Sequence, residues 1–176
     1  MAQATRRKTG FRVMLGAVAA MTAGPAFAQA CLQPAEQQGF HVRALQSQLM
    51  VAALACGKQD DYNAFVRKFQ PQLASSYNSI QGHYRRTMGA GAGQRELDQY
   101  ITQLANAQSQ DGIRAGSHYC PLVTPLFTMA LAQTDVTGLA NFAVERNLVN
   151  PIAANECSGA APATRTAAAT RSSARR

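Results

Sequence analysis

Apolar residues recur at steps of three and four along most of the middle of this chain, and strict alternation never runs for more than a few positions. That spacing marks amphipathic helices rather than strands. Val42, Leu45, Leu49, Ala52, Ala53 and Cys56 share one face, Pro34 suits an early helical position, and Gly57 supplies a stop. A first helix is therefore expected from about Ala35 to Cys56. The clearest stripe follows: Tyr62, Phe65, Val66, Phe69, Leu73, Tyr77, Ile80, Tyr84 and Met88, with Asp60 or Asp61 as its cap. Pro71 interrupts it. The missing N–H and the clash one turn back predict a kink between Arg67 and Gln70, or two abutting helices. Gly89 to Gly93 then predicts a flexible turn.

A third helix is expected from about Arg95 to Gln108, with Leu97, Tyr100, Ile101, Leu104 and Ala105 inward, and a loop from Ser109 to Ser117 on account of Gly112 and Gly116. The fourth runs from about Tyr119 to Gln133, carrying Leu122, Val123, Leu126, Phe127, Ala130 and Leu131. Pro121 and Pro125 suit a first turn and little beyond, which argues for a start later than Tyr119. Thr134 or Asp135 caps a fifth, which holds Val136, Leu139, Phe142 and Ala143 and ends near Arg146. The fold class expected is all-α, a small disulfide-bonded bundle of about five helices.

The two ends have a different composition from the middle. Arg6, Arg7, Lys8 and Arg12 precede an apolar, acid-free run from Val13 to Met21, and Gly24, Pro25, Ala26, Phe27 and Ala28 follow. Charged start, apolar centre and an A-x-A ending define a signal peptide over residues 1–28, cut between Ala28 and Gln29. The apolar run is well short of the ~20 residues that span a bilayer. Arg6–Arg7 resembles a twin-arginine signal, but Thr9 stands where a bulky apolar residue is wanted, so the ordinary Sec route of unfolded export is expected. A second A-x-A ends before Cys31, which leaves a lipoprotein as a minor alternative. Residues 158–176, rich in Ala, Thr, Ser and Arg without a large apolar side chain, are expected to be a disordered basic tail. The domain proper is residues 29–157, and the compartment is periplasmic or secreted.

Charge and cysteine sharpen this picture. The formal charge is +8, yet four of the 17 basic residues lie in the signal and four (Arg165, Arg171, Arg175, Arg176) in the tail. The nine that remain match nine acids between Cys31 and Cys157. A neutral domain lacks the basic face of a nucleic-acid binder, so no nucleic-acid partner is expected. The tail alone suggests weak contact with an anionic surface, each charge being worth about 1 kcal/mol there. The four cysteines, with no C-x-x-C pair, imply two disulfides in an oxidising compartment. If four helices run up and down in turn, the end of the first and the start of the fourth share a pole. That pairs Cys56 with Cys120 and, by elimination, Cys31 with Cys157, each bridge contributing roughly 2–4 kcal/mol.

Candidate chemistry is sparse. His83, Arg85 and Arg86 form the one dense polar-aromatic cluster with Tyr84 and are a possible anion-binding group, set against a solvated face that complements a helix C-terminus. His41, His83 and His118 lie too far apart for a helical metal pair, and no serine sits in a nucleophile motif. Asp60–Asp61 and Glu96/Asp98 suit helix starts better than acid–base work. Catalytic, metal and cofactor residues are therefore assigned to none. The function expected is that of a non-enzymatic exported envelope protein, a helical binding or interaction module. Its partner would be an unknown envelope protein or a small apolar ligand, and its oligomeric state is open. The alternatives are a hydrolase-like periplasmic enzyme with a site assembled in space, or an apolar-ligand carrier. Non-reducing peptide mapping should join Cys56 to Cys120 and Cys31 to Cys157; a peptide joining Cys31 to Cys56 rejects the up-and-down order.

Overall fold

The first helix, α1 (Pro34–Cys56), is buried along most of its circumference: Phe40, Val42, Ala44, Leu45, Leu49, Ala52 and Ala53 are buried, and so are Glu36, Ser47 and Gln48. A helix buried over so wide an arc needs several neighbours, and α2 (Gln59–Met88), α3 (Ala90–Ala115), α4 (Tyr119–Leu131) and α5 (Val136–Glu145) all pack against it. This computed structural model describes residues 31–152 and 154–157. The expected signal peptide over 1–28, with its Ala28–Gln29 bond, and the expected tail over 158–176 lie outside the described residues.

The described residues are mostly helical, with an isolated parallel bridge, Leu32 to Glu156, as the one extended pairing among them. Two disulfides tie the bundle, Cys31 to Cys157 and Cys56 to Cys120, the same two pairs that the up-and-down order implies. They close loops of 126 and 64 residues. None of the helices among the described residues is long and apolar enough to cross a membrane.

Several boundaries differ from expectation, while the bend in α2 and the cap of α5 fall where the spacing places them. No loop separates the expected third and fourth helices: α3 continues to Ala115 and a 3-10 turn, Gly116–His118, leads straight into α4. The described chain thus makes four uninterrupted helical runs rather than five. Gly112 lies under the Tyr119 ring, where an added Cβ would stand 3.2 Å from ring carbons, so that glycine serves close approach; the chain turns only at Gly116, with φ of 55°. The glycine run before α3 is likewise helical from Ala90, and Gly89 alone, with φ of 79°, makes the break. Lys58 rather than Asp60 or Asp61 stands at the cap of α2; both acids occupy its first turn, where they complement the helix dipole. The kink falls at Phe69 (φ −108°, ψ 18°), two residues before Pro71. Asp135 caps α5, its Oδ1 accepting from the Gly138 N–H at 2.8 Å.

The interior forms two clusters. In one, Phe65, Phe69 and Leu73 pack with Leu45, Leu49, Phe127, Ala130, Leu139 and Phe142. In the other, Ile80 and Tyr84 pack with Phe40, Ala44, Leu97, Tyr100 and Leu104. After α5 the chain returns along the second core as an extended strap. Gln108, fully buried, donates to the carbonyls of Ala44 and Val149, and Asn150 accepts from the Tyr100 hydroxyl at 3.1 Å. The strap ends beside the N-terminus, where Leu32 N–H donates to Asn155 O and Cys157 N–H to Leu32 O.

The α2–α3 contact depends on a missing side chain, since a Cβ on Gly93 would lie 2.5 Å from the Tyr84 carbonyl oxygen, whereas one on Gly82 would meet nothing within 4 Å. Gly93→Ala should cost about 1–3 kcal/mol through overpacking. Gly82→Ala should gain about 0.5–1 kcal/mol from helix propensity. Paired thermal melts check this, and equal midpoints would contradict it.

Candidate functional site

Three features of the surface and its borders hold chemistry. The first is an internal charge network where α1 begins and α2 ends. Glu36, in the first turn of α1, is buried; its Oε2 accepts from the Gln33 N–H at 2.9 Å, closing the helix start. The same carboxylate takes two bonds from Arg86, Nη2 to Oε2 at 2.6 Å and Nε to Oε1 at 3.1 Å. His83 Nδ1 stands 3.1 Å from Oε2, and Arg86 Nη2 also donates to the Cys31 carbonyl at 2.9 Å. Of the three residues expected to grip an external anion, His83 and Arg86 thus meet an anion the protein carries itself, while Arg85 is exposed. Glu36 is the residue sequence reasoning missed. Its signal was its place three residues after Gln33 at a proline-marked helix start, but nothing local indicated its partners 47 and 50 residues on.

Burial by itself would raise the Glu36 carboxyl pKa. The bonds from Arg86, the Gln33 N–H and His83, with the Arg86 charge, outweigh burial and hold it below the ordinary value of 4.5.

The second feature is an apolar groove of about 530 Å³ at the pole of the Cys56–Cys120 bridge, between the ends of α1 and α3 and the start of α4. Val51, Ala55, Gly112 and Tyr119 line it, and Leu54 and Ile113 stand at it 70% exposed. Leu122, expected to face the core, is instead 67% exposed nearby in sequence on α4. Tyr119 borders both this groove and a second dent that Leu122 lines with Leu126 and Leu148. Two large exposed apolar side chains, Leu54 and Ile113, beside one groove are unlike the scattered singles of an ordinary surface.

The third is a cleft of about 390 Å³ at the opposite pole, bounded by the end of α2, the start of α3 and the strap. His83, Tyr84, Met88, Glu96, Tyr100 and Ile152 are among its walls. Burial first, and then the nearby Glu96 charge, push the Tyr84 hydroxyl up to about 12; burial likewise raises Tyr100 and Tyr119.

The other expected residues are not brought together. His118 is exposed in the 3-10 turn, and His41 is half-buried on α1, where desolvation lowers its pKa. Among the described residues there is no group of three or more His, Cys, Asp or Glu side chains placed to hold a metal. Asp61 pairs with Lys58 at 3.8 Å, and Asp98 accepts from Gln94 at 2.9 Å, both local surface contacts. No family model, curated protein or solved structure matches this chain.

Because the Glu36 carboxyl is held below its ordinary value, its contribution to stability is complete above pH 4.5 and is lost as the pH falls through the lower, folded value. Glu36→Gln should cost about 2–3 kcal/mol at pH 7, since it leaves Arg86 and His83 without their carboxylate. It should also flatten the acid limb of the stability curve. Urea titrations between about pH 2 and 7 measure both, and an unchanged acid limb would remove Glu36 from this role.

Proposed function

We propose that this is an exported, non-enzymatic helical binding module of the bacterial envelope, which holds apolar side chains of a partner protein in the groove between α1, α3 and α4. The observation that carries the reading is Leu54 and Ile113, each 70% exposed beside that groove. Leaving two large aliphatic side chains in water forgoes about 1.5–3 kcal/mol apiece, a loss that a partner's apolar surface would recover. The groove is open at its rim, which suits side chains from a protein surface better than the enclosed cavity an apolar-ligand carrier would need. The Cys56–Cys120 bridge fixes α1 against α4 beneath it, so the surface is preorganised and little ordering is left for binding.

The compartment follows from the charged, apolar and A-x-A order of residues 1–28 and from two disulfides, which persist in oxidising surroundings. The bridge to Cys157 uses the Cys31 sulfur, which favours a released protein over a lipid-anchored one. The Arg-bearing tail would add weak attraction to anionic surfaces.

An enzymatic reading has one observation in its favour, the Glu36–His83 pair on the wall of the cleft. Among the described residues that line the cleft there is no serine or cysteine, and the Thr87 hydroxyl there is bonded to the His83 carbonyl at 2.9 Å. The groups suit binding better than nucleophilic attack.

A photo-crosslinking side chain at position 113 of the full exported chain should give one dominant protein adduct in intact cells, weakened by Leu54→Glu. The same group at position 95 should give none. Leu54→Glu should leave the fold within about 0.5 kcal/mol of the parent, as exposed substitutions do. Adducts only to lipid would turn the reading into an apolar-ligand carrier, and equal adducts at both positions would end it.

A further inference from the structure

We infer that the seat beneath the strap, between α1 and α3, is a binding site for an extended segment of another polypeptide, and that the chain's own residues 149–152 occupy it as an internal stand-in held by the Cys31–Cys157 bridge. The seat lies apart from the groove at the Cys56–Cys120 pole, and the inference does not rest on the partner-binding reading.

The seat grips both a backbone and a side chain. Phe40, Ala44, Tyr100 and Leu104 give it a buried apolar floor. Gln108, fully buried on α3, donates to the Ala44 carbonyl at 3.0 Å and to the Val149 carbonyl at 3.2 Å. The Asn150 amide is held from two helices: its Oδ1 accepts from the Tyr100 hydroxyl at 3.1 Å, and its Nδ2 donates to the Phe40 carbonyl at 3.4 Å. The sequence recognised is a branched apolar residue followed by asparagine.

The strap fills this seat incompletely. Gln108 Oε1 is enclosed and has no hydrogen-bond partner, an uncommon state for a buried acceptor. No backbone N–H between Val149 and Ile152 donates to a described residue, and Pro151 has none to give. The strap therefore uses only the donor half of the Gln108 amide. An extended peptide with an N–H facing Oε1 uses both halves.

Tethering keeps so sparse an occupant in place. At one end Leu148 N–H donates to the Ala143 carbonyl at 3.2 Å; at the other stand the Leu32–Glu156 pairing and the Cys31–Cys157 bridge. Two tethers hold the strap at high effective concentration, so few contacts suffice and an outside peptide is shut out. A dithiol donor opens the second tether: its two thiols become a disulfide as Cys31 and Cys157 become thiols.

The test uses the mature chain carrying Cys31→Ser, Cys157→Ser and Asn150→Ala, which releases the strap and weakens its hold while the Cys56–Cys120 bridge stays. The probe is a fluorescent peptide of residues 147–152, followed by anisotropy. It should bind this variant saturably and at least about tenfold more tightly than the oxidised parent, and the same peptide with Asn150→Ala should bind about tenfold more weakly. Hydrogen exchange of the variant should be faster at residues 148–152, with α1 and α3 still protected. The inference is overturned if parent and variant bind the peptide equally, if the variant is not saturated below about 1 mM, or if the two peptides bind alike. It is also overturned if α1 and α3 lose protection together with the strap, which makes the strap a part of the core rather than the occupant of a seat.

Discussion

Helix α1 occupies the centre of this bundle because a wide arc of it is apolar, from Phe40 and Val42 to Ala44, Leu45 and Leu49. Everything else is arranged to cover it. At its N-terminal end Glu36 accepts from the Gln33 N–H and closes the helix start. Once that carboxylate is buried it must in turn be matched, because an unpaired buried charge costs several kcal/mol. Arg86 and His83, at the end of α2, supply the match. The hydrophobic centre and the polar network at its edge are thus one constraint met in two ways.

Two devices keep the layers in register. Glycines allow the closest crossings: a Cβ on Gly39 would come within 2.9 Å of the Ser76 carbonyl, and one on Gly93 would collide with that of Tyr84. The disulfides act at opposite poles, Cys56–Cys120 where α1 ends and α4 begins, Cys31–Cys157 where both ends of the domain meet. Each removes loop-closure freedom from the unfolded chain, and the longer loop removes more. The strap between α5 and Cys157 needs this help, since it has few backbone bonds of its own and rests on Gln108, Asn150 and Tyr100.

The two bridged poles also differ in what they offer to other molecules. One is apolar and open, formed by Leu54, Ile113 and the Tyr119 ring above a fixed α1–α4 junction. The other is a cleft of polar and aromatic side chains beside the Glu36 network. Rigidity at both poles is what a recognition surface requires, because side chains already held in place lose little freedom on binding.

What the sequence determined by itself is what repeats locally. Helical spacing marked the buried faces of α1 and α2, Pro71 placed the bend beside Phe69, Asp135 stood ready to cap α5, and the order of helices implied which cysteines meet. Glycine was the weak point: Gly93 and Gly112 look like turn residues in sequence and are close-packing residues in the fold, since a missing side chain serves either purpose. Only the tertiary structure decided the partners of polar and exposed groups. Glu36 joins residues 47 and 50 positions away, Gln108 spans from α1 to the strap, and Leu54, Ile113 and Leu122 stay in water although each is as apolar as its buried neighbours. Periodicity reports which way a side chain points on its own helix; what it meets there depends on how separate helices cross, and that is settled only when all of them pack.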